Sequence, residues 1–221
     1  MQQKLEGAFI REEKTRFLCT VEIDGNQELC YVPSSCKLEQ FISLSGETVW
    51  LKPVHNKNSK LRYCVYAVKK KQGWVLLNLA ETNKILEVQL NRRLFSFLGN
   101  RKVICREKLI EGYKADLYLP ETRTIIEIKT VLTEERITSF PGVKSLRTER
   151  QLTEISKLLE AGYRVCYFVI ALNPRTANVE VVEKLKGIFQ DCISKGMLLK
   201  GYSLKFEEDL PQIYRSIEVK L

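Results

Sequence analysis

From residue 7 to about residue 80, short β-branched and aromatic runs alternate with turn signals: AFIREEK, RFLCTVEI ahead of Asp24-Gly25-Asn26, ELCYVP, TVWLKPV, LRYCVYAVKK and, after Gln72-Gly73, WVLLNL. Five or six short strands with little helix predict a small barrel, for which the oligonucleotide-binding (OB) type is one closed solution. The period then changes. In ETNKILEVQLNRRLFSFLG the apolar positions Ile85, Leu86, Leu90, Leu94, Phe95 and Leu98 fall near helical spacing, and Gly99 follows as a stop. KVICREKLI, YKADLYL and TIIEIKTV read as strands, SFPGVKS as a loop, and LRTERQLTEISKLLEAG as a helix ending at Gly162. RVCYFVIAL is a continuous apolar run, the mark of a strand buried on both faces. VEVVEKLKGIFQDCISKG reads as a last helix and LLKGYSLKFEE as a last strand. The expected fold is mixed α/β: an OB-like barrel over residues 1–80, then an α/β domain over residues 81–221 with a mixed central sheet flanked by helices.

Within this pattern, KADLYLPETRTIIEIKTV (residues 114–131) puts two carboxylates into strand-like runs. If Glu121-Thr122 is a two-residue turn closed by Pro120 and Arg123, paired positions sum to 243 and Asp116 lies opposite Glu127. The pleat then puts Ala115, Leu117 and Leu119 on one face with Ile128, Ile126 and Thr124, and Asp116, Glu127 and Lys129 on the other. Glu-Thr is not a favoured turn pair, so a longer connection is an alternative. Like charges directly opposite destabilise a sheet unless something neutralises them. A hard divalent cation, Mg²⁺ or Mn²⁺, would do so, with the backbone carbonyl of Ile128 completing its shell. Lys129 would then hold a water or stabilise charge on phosphorus, which together describes phosphodiester hydrolysis. The competing reading is a plain salt bridge of Lys129 with one of the acids. On the following helix, Arg147, Gln151 and Glu154 share a polar face opposite Leu152, Ile155 and Leu159. Arg147 would clamp a phosphate there, although a solvated face explains the same spacing. Glu87 is a candidate third carboxylate.

Composition narrows the chemistry. The 221 residues contain no apolar run of membrane-spanning length and no signal-peptide core at the start, so a cytoplasmic protein without a membrane partner is expected. Seven cysteines without a CxxC pair read as reduced thiols. The one histidine, His55 in VHNKNSK, excludes a His-rich metal cluster and reads as a surface residue. Residues 1–110 hold 19 Lys+Arg against 11 Asp+Glu and residues 111–221 hold 17 against 16, so +8 of the net +9 lies in the first half. Arg11, Lys14, Arg16, Lys37, Arg62 and the ring of Tyr63 are candidate nucleic-acid contacts, because cations interleaved with aromatics suit a phosphate backbone and stacked bases. For most of these aromatics, barrel core is the stronger reading.

An acid followed by a hairpin strand carrying Glu-x-Lys, between helices, resembles the PD-(D/E)xK nuclease superfamily. More closely, GAFIREEKTRFLCTVEIDG, TVWLKP, KLRYCVYAV, GWVLLNLAETNKILEV, KADLYL, IIEIKTV, SFPGVKSLRTERQLTEISKLLEAGYRV and GYSLKF resemble the sugar fermentation stimulation protein A (SfsA) family over nearly the whole chain. The resemblance implies an OB barrel followed by a PD-(D/E)xK nuclease-like domain, with the family's acid at Asp116, its Glu-Val-Lys at Glu127 and Lys129, and its arginine after the Phe-Pro loop at Arg147. It implies DNA as partner, with RNA as a second candidate, metal-dependent cleavage, and a link to sugar catabolism. The chain departs from the family at Gly142-Val143, at Arg150-Gln151 and in Val32-Pro33-Ser34-Ser35-Cys36-Lys37-Leu38. Two functions therefore stand side by side: a Mg²⁺- or Mn²⁺-dependent nuclease, and a non-catalytic DNA-binding regulator on a nuclease-like scaffold. A protein-interaction module is a weaker third.

Overall fold

The computed structural model describes residues 4–15, 17–34, 36–54, 59–142 and 146–221; Arg16 and His55 lie outside them. Strands β1 (Leu5–Glu12), β2 (Leu18–Ile23), β3 (Asn26–Tyr31), β4 (Thr48–Pro53), β5 (Tyr63–Lys70) and β6 (Gly73–Leu76) follow one another in the order β3-β2-β1-β4-β5-β6. Tyr31 of β3 pairs with Cys64 of β5, which closes five strands into a barrel of the OB type, with β6 hairpinned onto β5. Local chemistry sets the corners. Ile23 and Asn26 pair across Asp24-Gly25, whose φ angles of 49° and 77° are the both-positive geometry of a two-residue type I′ hairpin. At Gly7 a Cβ would stand 2.6 Å from Val21 Cγ1, so β1 crosses β2 this closely only as glycine.

Helix α1 (Thr82–Gln89) and a 3-10 segment (Arg93–Leu98) lead out of the barrel and stop at Gly99, with φ 77°. Then come β7 (Cys105–Arg106), β8 (Leu109–Ile110), β9 (Tyr113–Lys114), β10 (Leu117–Leu119), β11 (Thr124–Val131), β12 (Ile137–Phe140), α2 (Leu146–Glu160), β13 (Arg164–Ala171), β14 (Asn178–Val181), α3 (Glu183–Ser194), β15 (Leu198–Glu207) and β16 (Leu210–Lys220). Eight of these strands form one mixed sheet in the order β12-β14-β16-β15-β13-β11-β10-β7. At its centre β11, β13 and β15 are parallel; β10 runs antiparallel to both its neighbours, and β16 runs antiparallel to β15 but parallel to β14. Parallel central strands need both faces covered, and β13 shows how. Its Val165, Tyr167 and Val169 pack with Leu152, Ile155 and Phe189 of α2 and α3. Its Cys166, Phe168 and Ile170 pack in the cluster that also holds Phe9, Leu51 and Val65 of the barrel. The barrel interior and one face of the sheet are thus a single apolar core. An ionic tie spans the same junction: Lys70 Nζ of β5 lies 2.9 Å from Glu47 and 2.7 Å from Glu134.

Four elements differ from the sequence expectation. The helix after the barrel breaks beyond Gln89 into the 3-10 segment. The helix expected from Val179 starts only at Glu183, because Asn178–Val181 add to the sheet beside β16. Ile137–Phe140, read as a loop entrance, pairs in parallel with β14. The segment 210–220 forms the long strand β16, which the mixed polarity of LPQIYRSIEVK concealed. In the last three cases a neighbouring strand supplies the pairing that decides the conformation. Among the described residues, no helix is long and apolar enough to cross a membrane.

Candidate active site

The β10–β11 hairpin carries the acids. Leu117, Tyr118 and Leu119 pair with Ile126, Ile125 and Thr124, each pair summing to 243. The connection is longer than a two-residue turn. Pro120–Thr122 form a 3-10 turn, the Arg123 N–H donates to the Pro120 carbonyl at 3.2 Å, and Arg123 is left-handed at φ 48°, ψ 39°. Because the loop grows by one residue at each end, the register survives. The ladder stops at Leu117, however. Asp116 is not paired with Glu127; its Oδ2 accepts the Ile128 N–H at 2.8 Å, and its backbone carbonyl accepts the Glu107 N–H at 3.0 Å. This break reverses the expected facing of Ala115, which packs with Tyr113 and Val131 on the helix side of the sheet, while Leu117, Leu119, Ile126 and Ile128 face the barrel.

Glu127 is 2% exposed. Its Oε1 takes the Lys129 ammonium and the Gln151 amide, the latter at 3.2 Å, and its Oε2 accepts the Tyr113 hydroxyl. Asp116 Oδ1 accepts from Asn83 Nδ2 at 3.1 Å. Burial pushes the Glu127 carboxyl above its ordinary value; Lys129 opposes this, Asp116 adds to it, and the hydrogen bonds from Lys129 and Tyr113 pull back. Burial and the Glu127 charge likewise push the Tyr113 phenol up. Tyr167, paired in register with Glu127 on β13, is also raised by burial, and its hydroxyl has no hydrogen-bond partner among the described residues.

These groups open onto a cleft of 1340 Å³ between the barrel and the α/β half. Arg147, Gln151 and Glu154 of α2 line it together with Asp116, Glu127, Ile128 and Lys129. Arg147 is exposed and makes no ion pair among the described residues, whereas Glu154 is bridged to Lys157 at 2.8 Å. Glu87 does not join the group, because its carboxylate pairs with Arg106. The helix face was the right one, one turn off: Asn83, four residues earlier, is the side chain that reaches Asp116. Six carboxylates line the cleft against three cations, Lys114, Lys129 and Arg147, which makes it a place for positive charge. No third His, Cys, Asp or Glu among the described residues completes a cluster with the two acids. The donor set that remains, two carboxylates of which each Asp116 oxygen accepts one hydrogen bond, fits a hard divalent cation.

Two contributions escaped the sequence. Tyr113 and Asn83 carry no spacing signal, since they reach the acids only because β9 and α1 fold back on the hairpin. The other is the barrel loop after β3. Glu12 accepts the backbone N–H groups of Leu38 at 2.8 Å and Glu39 at 3.0 Å, and so pins a loop whose Ser34, Cys36, Gln40 and Phe41 wall the cleft. A Cβ at Gly142 would stand 3.0 Å from Phe41 Cε1, so this wall meets the Phe-Pro loop directly. The candidate nucleic-acid contacts on the barrel are scattered. Arg11 pairs with Glu13 at 3.1 Å, Arg62 pairs with Glu28, and Tyr63 packs half-buried against the core. Lys14 and Lys37 edge a small hollow beside Glu12 and Glu13.

Comparison with known proteins gives consistent findings. A family model described as "Sugar fermentation stimulation protein RE domain" matches residues 80–209, and one described as "SfsA N-terminal OB domain" matches residues 12–77. A "Sugar fermentation stimulation protein homolog" of Desulfitobacterium hafniense is 25% identical over 98% of this chain and 96% of its own length. Another with that description, from Natranaerobius thermophilus, is 27% identical over 91% of this chain and 88% of its own. Among solved structures, Pyrococcus furiosus SfsA in complex with Ca²⁺ shares the fold at a TM-score of 0.82 and 18% identity, covering 100% of this chain and 97% of that one.

Proposed function

The chain belongs to the sugar fermentation stimulation protein (SfsA) family, and on that footing we propose that it binds nucleic acid and hydrolyses phosphodiester bonds at Asp116, Glu127 and Lys129 with a divalent cation. One observation carries the reading: a carboxylate 2% exposed, with a second acid raising its pKa, opens onto a cleft large enough for several nucleotides. Asp116, Glu127 and the Ile128 carbonyl would hold Mg²⁺ or Mn²⁺, which when bound supplies Lewis-acid stabilisation of charge on phosphorus. The Ca²⁺ of the P. furiosus relative's description supports a hard cation among oxygen donors. The chain's own groups do the rest. Tyr113 and Gln151 hold the Glu127 carboxylate in one orientation, and Asn83 with the Ile128 N–H does the same for Asp116. Lys129, whose ammonium rests on Glu127, would be placed to offer it to the attacking water or a phosphoryl oxygen. Arg147, free of carboxylates, clamps a neighbouring phosphate.

The test is a gel assay of single- and double-stranded DNA and RNA with and without Mn²⁺, run beside Glu127→Ala. Metal-dependent cleavage by the wild type and none by the variant is the expected result; equal cleavage by both rejects the assignment. A second reading, a nucleic-acid-binding regulator that does not cut, is favoured by the hydrogen-bond saturation of Glu127, which an inactive scaffold would also have. It predicts salt-sensitive binding to which metal adds no cleavage.

A further inference from the structure

Four chain segments meet at the open end of the barrel-side face of the sheet, at the starts of β11 and β13. They are residues 93–102, 122–126, 161–166 and 196–202, and they contain six cations, Arg93, Arg101, Lys102, Arg123, Arg164 and Lys200, with no Asp or Glu. Contacts hold them together. The Arg164 guanidinium donates to the Phe97 carbonyl at 3.2 Å, and the Lys200 ammonium stands 5.7 Å from the Phe97 ring. The Arg164 N–H donates to the Arg123 carbonyl at 3.1 Å, and a Cβ at Gly99 would lie 3.2 Å from Thr122 Cγ2. In the sheet, Arg164 is in register with Thr124 and Lys200 with Phe168. None of the six makes an ion pair among the described residues; on the barrel Lys4, Arg11, Arg62 and Lys70 do, while Lys14, Lys37, Lys60, Lys69 and Lys71 do not. Arg101 is committed locally, to the Phe95 and Gly99 carbonyls, and Arg123 lies over the Tyr163 ring at 4.5 Å; Arg93, Lys102, Arg164 and Lys200 are exposed.

We infer that this patch around Phe97, rather than the outer face of the barrel, is the principal nucleic-acid backbone contact of the chain. The inference rests on the reading that nucleic acid is the substrate class, and locates where its phosphates dock. Four of the six cations are arginines, whose planar forks match phosphate oxygens two at a time. A half-buried phenyl ring among them offers an edge or face to an unstacked base. A lipid surface is a poorer fit, since polybasic lipid-binding sequences rely on clustered charges next to an inserting helix or anchor. Arg123 immediately precedes β11 and lies four residues from Glu127, about 13 Å at the rise of a β-strand, with Glu127 turned to the α2 face of the sheet.

The triple variant Lys102→Gln, Arg164→Gln, Lys200→Gln removes three exposed charges without touching the acids or Arg101. Binding of labelled oligo-dT and of a labelled DNA duplex is read by anisotropy in EDTA, over a series of salt concentrations. The triple variant is expected to bind on the order of tenfold more weakly, with a log–log salt slope shallower by about 2 for the single strand, at about 0.7 for each lost phosphate contact. The charge-keeping set Lys102→Arg, Arg164→Lys, Lys200→Arg should bind as wild type, and Lys14→Gln, Lys37→Gln, Arg62→Gln on the barrel should bind almost as well. Wild-type affinity and slope in the first triple variant overturn the inference, as does a larger loss from the barrel set. So does retention on phosphatidylserine vesicles with no oligonucleotide binding at the same salt. Cleavage that depends on Glu127 together with an unaffected patch variant rejects the patch alone; loss of binding without any cleavage by wild type rejects the catalytic reading alone.

Discussion

On the barrel, Arg11 lies 3.1 Å from Glu13, Arg62 pairs with Glu28, and Lys70 sits between Glu47 and Glu134. In the α/β half, Glu127 is buried with its oxygens shared by an ammonium, an amide and a phenol, while Arg123, Arg147, Arg164 and Lys200 make no ion pair among the described residues. Counting Lys4, four barrel cations are thus held in ion pairs, whereas the exposed Lys14, Lys37, Lys60, Lys69 and Lys71 make none among the described residues. The α/β half concentrates carboxylates in the cleft and cations on a patch at the far end of β11. Charge totals by chain half hide this. Residues 1–80 hold 12 Lys+Arg against 8 Asp+Glu, and residues 81–110 hold 7 against 3, so half of the first-half excess lies in the connecting segment. What a partner feels is decided by which charges lack a neighbour, not by their sum.

The largest expected effect tests whether the two regions are separable. Phe168 is fully buried in the core that barrel and sheet share, so Phe168→Ala should cost about 3–5 kcal/mol and lower one calorimetric transition. Two transitions, with the barrel unmoved, would break the premise of a common core. Next, Lys129→Met should lower Mn²⁺-dependent cleavage on the order of 100-fold by removing the charge nearest the reacting phosphate. A cleavage rate within twofold of wild type would reduce Lys129 to the partner of Glu127 seen here. Tyr113→Phe deletes only the hydroxyl on Glu127 Oε2 and should weaken metal binding, read by calorimetry, about tenfold, the lower end for an outer-shell partner. Smallest is Arg62→Gln on the barrel. An exposed pair is worth about 0–1 kcal/mol, so denaturant melts and oligonucleotide affinity should scarcely move. A clear loss of affinity there would move the binding surface back to the barrel.

The strands of the barrel and β11, β13 and α2 were legible because each carries its own period: alternation, a continuous apolar run or an amphipathic face. Gly7, Gly25 and Gly99 punctuate where backbone approach or positive φ requires glycine. The strands β12, β14 and β16 were not legible, because their polarity is set by where they join an existing sheet edge. In the cleft, the Asp116, Glu127 and Lys129 set could be picked out by type and spacing, yet its geometry differed. Asp116 leaves the ladder one residue early and spends its carboxylate on the Ile128 N–H. Glu87 turned away to Arg106, and Asn83 took its place.

By itself, then, the amino-acid order determined a closed barrel followed by a two-faced mixed sheet, and the register of the hairpin that carries the acids. Those depend on contacts close in sequence and on a pleat of period two, which a short stretch encodes. The tertiary structure alone decided that Tyr113, Gln151 and Asn83 hold the carboxylates, that the loop pinned by Glu12 walls the cleft, and that Arg164 and Lys200, without an ion pair among the described residues, meet at Phe97. Burial and charge neighbourhood are sums over residues distant in the chain, and no local period records them.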